Sequence, residues 1–554
     1  MVRCEERRHF RVITRKSHRI VVVLRNTPLE SIDYPSEGFW SMANVMVLQK
    51  ELELKFEVEP TILRRLNKIP VIKALNKRPK YATEASVYFD NDKHELHKKG
   101  VMLRVRRIGK RHVQTIKTAG NSAPIERDEW ETEIAGAQPE LGLISGTPLE
   151  DLITKKIRRG LRPMFETRVR RTNYSLTDKE RAIDLTIDRG KLHTGDGSVP
   201  ICELELELKR GSKDRLFEVA RTLLQALPAQ ISLKSKAERG YELLEGRKDS
   251  PVKANPVDLP AGCNARNGFK VIGFDCLKQV IDNVTALARG DPEGVHQMRV
   301  GLRRLRAAMS LFGDLLDDDQ AAAIKTELKW LAGELTPARE FEVFTERVIV
   351  PIKQRHGRFG SGVSSFCKEV AGKHRAALAR ARDGVASARF RALVFEVAVW
   401  LEGGRWTNPA DDSVRIRGEV PIEVFAAEQL RRRLRKVRKR GKQLAQLDAN
   451  KRHRLRIQVK KLRYAAEFFS GLFQNKKAMR RQKKFMPALE RLQDGLGDLN
   501  DIAVDERLIA SAAVPKRAFA AGLLTGREEA RENAALSNAI DGYTKLVKAK
   551  SFWR

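Results

Sequence analysis

The sequence predicts a multidomain α+β chain: a closed eight-stranded antiparallel β barrel with flanking helices, then an all-α module of two pseudo-symmetric four-helix bundles. Three observations predict it. Charged and apolar residues alternate with period two between residues 46 and 247. A helical segment at 296–306 recurs at 453–463. Between these regions, 248–262 contains Pro251, Pro256 and Pro260 and has no amphipathic period, which marks an interdomain linker.

A length of 554 residues, 42% of them hydrophobic, is enough for several sizeable cores and excludes a disordered or fibrous chain. With 107 Lys+Arg against 71 Asp+Glu, the formal charge of +36 makes an extended polyanion the natural partner. Nucleic acid and polyphosphate both qualify at this point. Cys4, Cys202, Cys263, Cys276 and Cys367 are scattered and odd in number, which argues against a disulfide framework or thiolate metal site and points to a reducing, cytosolic compartment. The run Ile20–Leu24 is too short to cross a bilayer and no longer apolar run follows, so no membrane span is expected. Residues 1–45 are rich in Arg and fit neither module; they read as a leader or basic arm, or as the product of a start codon upstream of a true start at Met42 or Met46.

The expected strands run 51–59, 84–89, 101–107, 112–118, 128–135, 164–174, 180–189 and 201–209. One face carries charge almost without relief: Glu51, Glu53, Lys55, Arg104, Arg106, Lys117, Glu129, Glu131, Glu133, Glu166, Arg168, Arg170, Asp184, Asp188, Glu203, Glu205, Glu207 and Lys209. An open antiparallel sheet with a solvated polar face would satisfy that alternation. Closure into a barrel would instead set carboxylates against guanidinium groups in the interior, where unpaired charge is costly and metal ions or anionic ligands become partners.

Glu51, Glu53 and Lys55 share one strand face, and the word Glu-Leu-Glu-Leu-Lys returns at Glu205–Lys209, preceded by Glu203. Carboxylate oxygens at that spacing suit Mg²⁺ or Mn²⁺ shared with phosphate. Arg104, Arg106, Lys117, Arg168 and Arg170 offer fixed cations of the kind phosphoryl transfer requires. No P-loop and no Ser or Cys nucleophile beside a His and an acid competes, and His94, His97 and His112 read as solvated.

Several ordered segments carry a resemblance: Glu51-x-Glu-x-Lys55, Gly100-Val-Met-Leu-Arg-Val-Arg106, Gln114-Thr-Ile-Lys117, Glu131-Thr-Glu133, Cys202-Glu-Leu-Glu-Leu-Glu-Leu-Lys209, and Ser235-Lys236 within Leu-Lys-Ser-Lys-Ala-Glu-Arg-Gly-Tyr. Together, over 46–247, they resemble the CYTH family of triphosphate tunnel metalloenzymes. The resemblance implies a closed tunnel, a divalent metal, Mg²⁺ or Mn²⁺, and a substrate ending in triphosphate. Carried over by position, Glu51, Glu53, Glu203, Glu205 and Glu207 are the metal-side carboxylates, and Lys55, Arg104, Arg106, Lys117, Arg168 and Lys236 the phosphate contacts. Glu131 and Glu133 position cations.

In the second half, His, Arg, Arg/Lys and Arg fall at i, i+3, i+7 and i+10 in both repeats: His296, Arg299, Arg303, Arg306 and His453, Arg456, Lys460, Arg463. That spacing draws one basic stripe along a helix, beside an apolar stripe of Met298, Leu302, Leu305 or Leu455, Val459, Leu462. A second pair, Leu335–Val343 and Leu496–Val504, repeats at an offset of 161 and contains the turn-like segments Pro337-Ala-Arg-Glu and Asp498-Leu-Asn-Asp, with Thr336 where a glycine is expected. Residues 431–484 hold 22 Lys/Arg against Asp448 and Glu467 alone. Aromatics there sit at core spacing, so base stacking is not suggested and nucleic acid is disfavoured as partner. The repeated segments resemble the CHAD domain, over 263–554, which implies binding of inorganic polyphosphate.

The expected function is metal-dependent hydrolysis of inorganic triphosphate to pyrophosphate and phosphate, with the helical module tethering polyphosphate and the protein cytoplasmic or at polyphosphate granules. Thiamine or nucleoside triphosphate hydrolysis, ATP cyclisation, and a largely non-catalytic polyphosphate scaffold are the alternatives. Oligomeric state is not readable.

Overall fold

The structure is a computed structural model describing residues 47–62, 69–73, 79–118, 124–316, 318–355, 361–512 and 518–553; the expectation for 1–45 lies outside these residues. The chain divides after Lys248 into two compact units.

Nine strands form in the first unit: β1 (Val47–Glu57), β2 (Lys80–Asp90), β3 (Val101–Ile108), β4 (Arg111–Thr118), β5 (Glu126–Ile134), β6 (Arg162–Thr177), β7 (Ala182–His193), β8 (Ser198–Arg210) and β9 (Gln230–Ser232). Their order is β5-β4-β3-β2-β6-β7-β8-β1, and β1 also pairs with β5, so eight antiparallel strands close on themselves. The short β9 extends the β1 edge beyond the reach of β5. Closure removes the open edges that would otherwise expose unpaired backbone groups.

Period two decides what the barrel wall shows to each side. Leu52, Leu54 and Phe56 are buried on the face opposite Glu51, Glu53 and Lys55. Val101, Leu103, Val105 and Ile116 pack outward against Leu96, Ile144 and Leu149, and each such burial contributes about 1.5–3 kcal/mol. The first flanking helix, α1 (Lys213–Ala226), buries Leu216, Phe217, Val219, Ala220 and Leu223.

One end of the interior is filled by α2 (Lys236–Leu244), whose start is set by a capping box: Ser235 Oγ accepts from Glu238 N at 3.1 Å, and Glu238 Oε2 accepts from Ser235 N at 2.7 Å. Tyr241 packs with Phe165, Tyr88 and Val169. Gly240 lies so close to Phe165 that a Cβ would stand 2.2 Å from its ring.

The β6 strand departs from the expected parity. Phe165, Thr167 and Val169 are buried and Arg171 points with them, whereas Arg168 and Arg170 are exposed. Glu166, Arg168 and Arg170 therefore do not share the interior face assigned to them by alternation. A register shift opposite Tyr88/Phe89, which skips Met164, and the fit of Phe165 under α2 decide the parity.

The second unit repeats four helices: α3 (Ala265–Asp282), α4 (Pro292–Leu311), α5 (Asp319–Phe344) and α6 (Ser361–Ala386), then, beyond α7 (Ala388–Gly403) and α8 (Asp412–Glu419), α9 (Ile422–Arg440), α10 (Ala449–Phe469), α11 (Lys476–Ala512) and α12 (Ala518–Lys548). Every second-copy helix begins 157 residues after its counterpart, as 265/422, 292/449, 319/476 and 361/518 show. The offset of 161 read for the second segment pair is thus one helical turn out of register. Both segments also lie inside helices rather than turns, with Pro337 within α5 and Asp498–Asp501 within α11. Tertiary packing overrides the helix-breaking tendency of Pro337: Leu335 and Ala338 are both buried on the core face.

The proline-bearing linker is not loose against this unit. Val252 N donates to Asn283 Oδ1 and Asn283 Nδ2 donates to Val252 O, each at 2.9 Å, and Val257 is buried. No described helix is long and apolar enough to cross a membrane.

Candidate functional sites

The barrel interior is a ring of opposed charges. Lys117 Nζ reaches Glu51 at 2.5 Å and Glu129 at 3.0 Å; Lys55 Nζ reaches Glu53 at 3.0 Å and Glu205 at 3.3 Å. Arg104 pairs with Glu129 and Glu131, and Arg106 with Glu131 and Glu84. Lys236, carried in by the first residue of α2, lies 2.9 Å from Asp188, 2.8 Å from Glu203 and 2.7 Å from Glu205. The strands supply these groups at alternate positions, which is why residues distant in sequence converge.

Two residues that sequence reasoning missed complete the ring. Arg171 pairs with Asp188 at 2.6 Å and also reaches Glu84 and Glu205; Glu84 itself is buried. Arg168, assigned to phosphate contact, has a side chain 68% exposed and pairs with Glu166 outside the ring. Glu133 is exposed too and binds the exposed Arg111 at 2.7 Å, because it sits where β5 leaves the barrel. Glu207 pairs with Lys209 rather than with the central cations. The signal for Arg171 was its opposition to Asp188 on β7, visible only once the register is known.

The interior shifts acid strength in opposite directions. Burial would raise Glu51, but Lys117 and Lys55 outweigh it and lower its pKa to about 2. Burial and then Glu205 raise Glu53 to about 8 despite Lys55. Burial opposes charge on Lys236, yet Asp188, Glu203 and Glu205 raise its pKa well above the ordinary lysine value. Burial beside Glu205 makes Glu53 reluctant to ionise, and a cation placed there, near Glu51 and Glu205 and displacing Lys55, would restore its charge. Arg104 Nε and Arg106 Nε are buried with no acceptor, so they remain free to donate to an anion. Among the described residues no three Asp, Glu, His or Cys side chains are already gathered as a ligand cluster, since each carboxylate of the ring is drawn to a lysine or arginine.

His97, read as solvated, stacks on Tyr241 with ring centroids 3.8 Å apart, and burial lowers its pKa. It belongs to the support of α2 rather than to the ring.

The helical unit holds a cavity of about 800 Å³ lined by His296, Arg303 and Arg304 from α4 and Arg456, Lys460 and Arg463 from α10. The two copies thus bring their basic stripes to one place. Arg299 stands behind it, with Nη1 donating to Thr336 O at 3.3 Å, and Arg456 Nη1 donates to Asn500 Oδ1 at 3.1 Å. Burial, then Arg456 and Arg303, lowers Lys460 to about 7; burial, then Arg303, lowers Arg299 to about 9. Burial and Arg339 also lower His296. Glu467, Asp494, Asp498 and Asp501 line the same cavity, but for Lys460 and Arg299 burial and neighbouring cations outweigh the nearby carboxylates.

Arg306 and His453, expected on the same stripes, are exposed and do not line the cavity. One end of each stripe turns to solvent, the C-terminal end in the first copy and the N-terminal end in the second, while His296 and Arg463 at the opposite ends line the cavity. Arg304, missed by the stripe, lines the cavity instead.

Residues 49–241 match the CYTH domain family and residues 272–510 match the CHAD domain family. A curated protein of Haemophilus influenzae named inorganic triphosphatase is 30% identical over 210 residues, 36% of this chain and 56% of that protein, so the chain spans about half the length of this relative. Among solved structures, the CHAD domain of the plant Ricinus communis is 28% identical, covering 53% of this chain and 96% of its own, with TM-score 0.46. PptA of Streptomyces chartreusis is 18% identical, covering 51% and 99%, with TM-score 0.37. The chain carries a CYTH domain followed by a CHAD domain.

Proposed function

We propose that the barrel hydrolyses inorganic triphosphate to pyrophosphate and phosphate with a divalent metal, Mg²⁺ or Mn²⁺, and that the helical unit binds inorganic polyphosphate. The observation that carries the first part is the closed ring in which carboxylates alternate with lysine and arginine, two of whose buried Nε groups lack an acceptor. A linear polyanion threaded through it meets cations from several strands at once. The name of the Haemophilus influenzae relative supports triphosphate over other substrates.

Glu51, Glu53 and Glu205, with Glu203, would hold the metal; Glu207 fits that centre less well because it pairs with Lys209, and Glu133, expected to position a cation of the site, holds the exposed Arg111 instead. The ion, when bound, supplies positive charge to phosphate oxygens and acidifies a coordinated water. Lys55, Arg104, Arg106, Lys117, Arg171 and Lys236 would orient the triphosphate. On ligand uptake the carboxylates would turn to the ion and the ammonium and guanidinium groups to phosphate oxygens, each group exchanging one charged partner for another. Glu131 holds Arg104 and Arg106 in place through its ion pairs.

The second part rests on the cavity where Arg303, Arg456 and Lys460 from the two copies meet, with Asp501 as the carboxylate beside Arg456 and Lys460. His296, Arg299 and Arg463 belong to the same proposal, while Arg306 and His453 would reach only a chain running outside the cavity.

The test is phosphate release by the full chain from tripolyphosphate, thiamine triphosphate and ATP, each with Mg²⁺, with Mn²⁺ and with chelator. Preferential, chelator-sensitive release from tripolyphosphate supports the reading. A clear preference for an organic triphosphate, cyclic AMP formation, or no turnover at all overturns it.

A further inference from the structure

The two copies of the helical repeat differ at one groove in a way the cavity does not explain. In the first copy, Arg304 of α4 is 3% exposed and fully answered: its Nη1 donates to Gln279 Oε1 at 2.8 Å and its Nη2 lies 2.9 Å from Asp275 Oδ2, both on α3. Applying the 157-residue offset, Arg304 corresponds to Lys461, Gln279 to Lys436, Asp275 to Arg432 and Cys276 to Arg433. The acid and the amide have become cations, and a fourth cation stands where the first copy has a thiol.

Among the described residues, nothing in the second copy takes over the lost negative charge: Lys436 and Lys461 have no carboxylate partner there, Arg432 has the exposed Asp314 at 3.4 Å, and Arg433 Nη2 donates to Ser310 O at 3.0 Å. Arg433 is 8% exposed, yet its Nε is buried without an acceptor. Burial and the mutual repulsion of Arg433, Lys436 and Lys461 lower the Lys461 pKa. Arg433 is buried and Lys461 half-buried while Arg432 and Lys436 are exposed, so a desolvated guanidinium edge stands among cations that solvent reaches, and an anion would complete it. Covering also differs: α3 is packed under α7 and α8, whereas α9 keeps Arg431, Arg435, Lys439 and Arg440 in solvent.

We propose that the groove between α9 and α10, formed by Arg432, Arg433, Lys436 and Lys461, is a second oxyanion site that takes a phosphoryl unit of a linear polyphosphate chain. The inference rests on the polyphosphate reading of the helical unit and adds a separate contact point to it. The solvent-facing residues of α9 and α10 include no Phe, Tyr or Trp on which a base could stack, which favours a bare phosphoanhydride chain over nucleic acid. Chains long enough to occupy groove and cavity together gain affinity by linkage, so length dependence is the signature.

The experiment compares the full chain with the double variant Arg432→Asp/Lys436→Gln, which recreates in the second copy the Asp275 and Gln279 that answer Arg304 in the first. Binding of long-chain polyphosphate, of tripolyphosphate and of duplex DNA is measured at fixed ionic strength. Expected is a loss of about tenfold or more for the long chain, from the removal of clustered positive charge, with tripolyphosphate binding and melting temperature unchanged. Should the double variant fold poorly, Lys461→Gln removes one cation from a half-buried position and serves the same comparison. Unchanged long-chain affinity in a folded variant overturns the inference, as does an equal loss of affinity for duplex DNA, which would make the groove a nucleic-acid contact. Lys460→Ala in the cavity separates the two readings: if it abolishes polyphosphate binding and the groove variant does nothing, the groove inference alone falls. If neither variant changes binding, the polyphosphate reading falls with it.

Discussion

Lys117 on β4 donates to Glu51 on β1 at 2.5 Å although 66 residues separate them. Both side chains are largely buried, so each is the main answer to the other's desolvation. In Glu51→Gln, tripolyphosphate turnover is expected to fall by about 10²-fold or more, the scale seen when one preorganised charge is removed from a reacting site. The same change strands Lys117 beside Glu129 alone and lowers stability by about 3 kcal/mol. Steady-state phosphate release and denaturant melts read the two effects separately.

The Glu51 shift also fixes a pH window. Its folded value, about 2, lies below the ordinary 4.5, so the stabilisation is fully present above 4.5 and is lost as pH falls towards 2. Urea midpoints measured from pH 6 down to pH 2.5 are expected to drop across that window by more in the native chain than in Glu51→Gln.

Arg171 and Arg168 test the corrected parity of β6. Arg171→Ala is expected to reduce turnover by about 10²-fold, since it removes a cation held against Asp188 inside the barrel. Arg168→Ala, which breaks an exposed pair with Glu166, is expected to stay within about twofold and to cost under 1 kcal/mol. Equal losses in both would return Arg168 to the site.

Lys460 makes polyphosphate binding depend on pH. Its folded value near 7 reflects burial and the facing Arg456, Arg303 and Arg299, partly offset by Asp501. Below pH 7 the ammonium form predominates and the cavity gains a charge, so affinity is expected to tighten as pH falls from 8.5 to 6. Lys460→Arg, charged throughout, is expected to flatten that profile relative to the native chain. Binding isotherms at fixed salt provide the comparison.

Gly190 on β7 faces the Arg168 carbonyl so closely that an added Cβ would stand 1.9 Å from it. Backbone cannot yield as a side-chain tip can, and Gly190→Ala is expected to lower stability by about 1–3 kcal/mol or more. The site residues are untouched, so turnover per folded molecule is expected to persist; thermal melts and active-fraction titration distinguish the two.

The strands, the helical repeat and most charged positions of the ring were legible from alternation and spacing alone, whereas closure of the sheet into a barrel was implied by the family resemblance. Period two marks a strand wherever one face is buried, so Glu51, Glu53, Lys55, Arg104, Arg106 and Lys117 announced themselves locally. The helical repeat was equally local, because a stripe at three- and four-residue spacing needs only its own helix. Pairing across strands was not local. Which parity β6 adopts depended on Phe165 seating under α2, and that choice placed Arg171 inside and Arg168 outside. Likewise the 157-residue register, the helical state of Pro337 and the exposure of Arg306 and His453 followed from how helices pack rather than from what each prefers. The sequence by itself determined which chemical groups each face could offer, because backbone geometry gives side chains a fixed period. Only the tertiary structure decided which of those groups meet, because register and packing are set by contacts between segments remote along the chain.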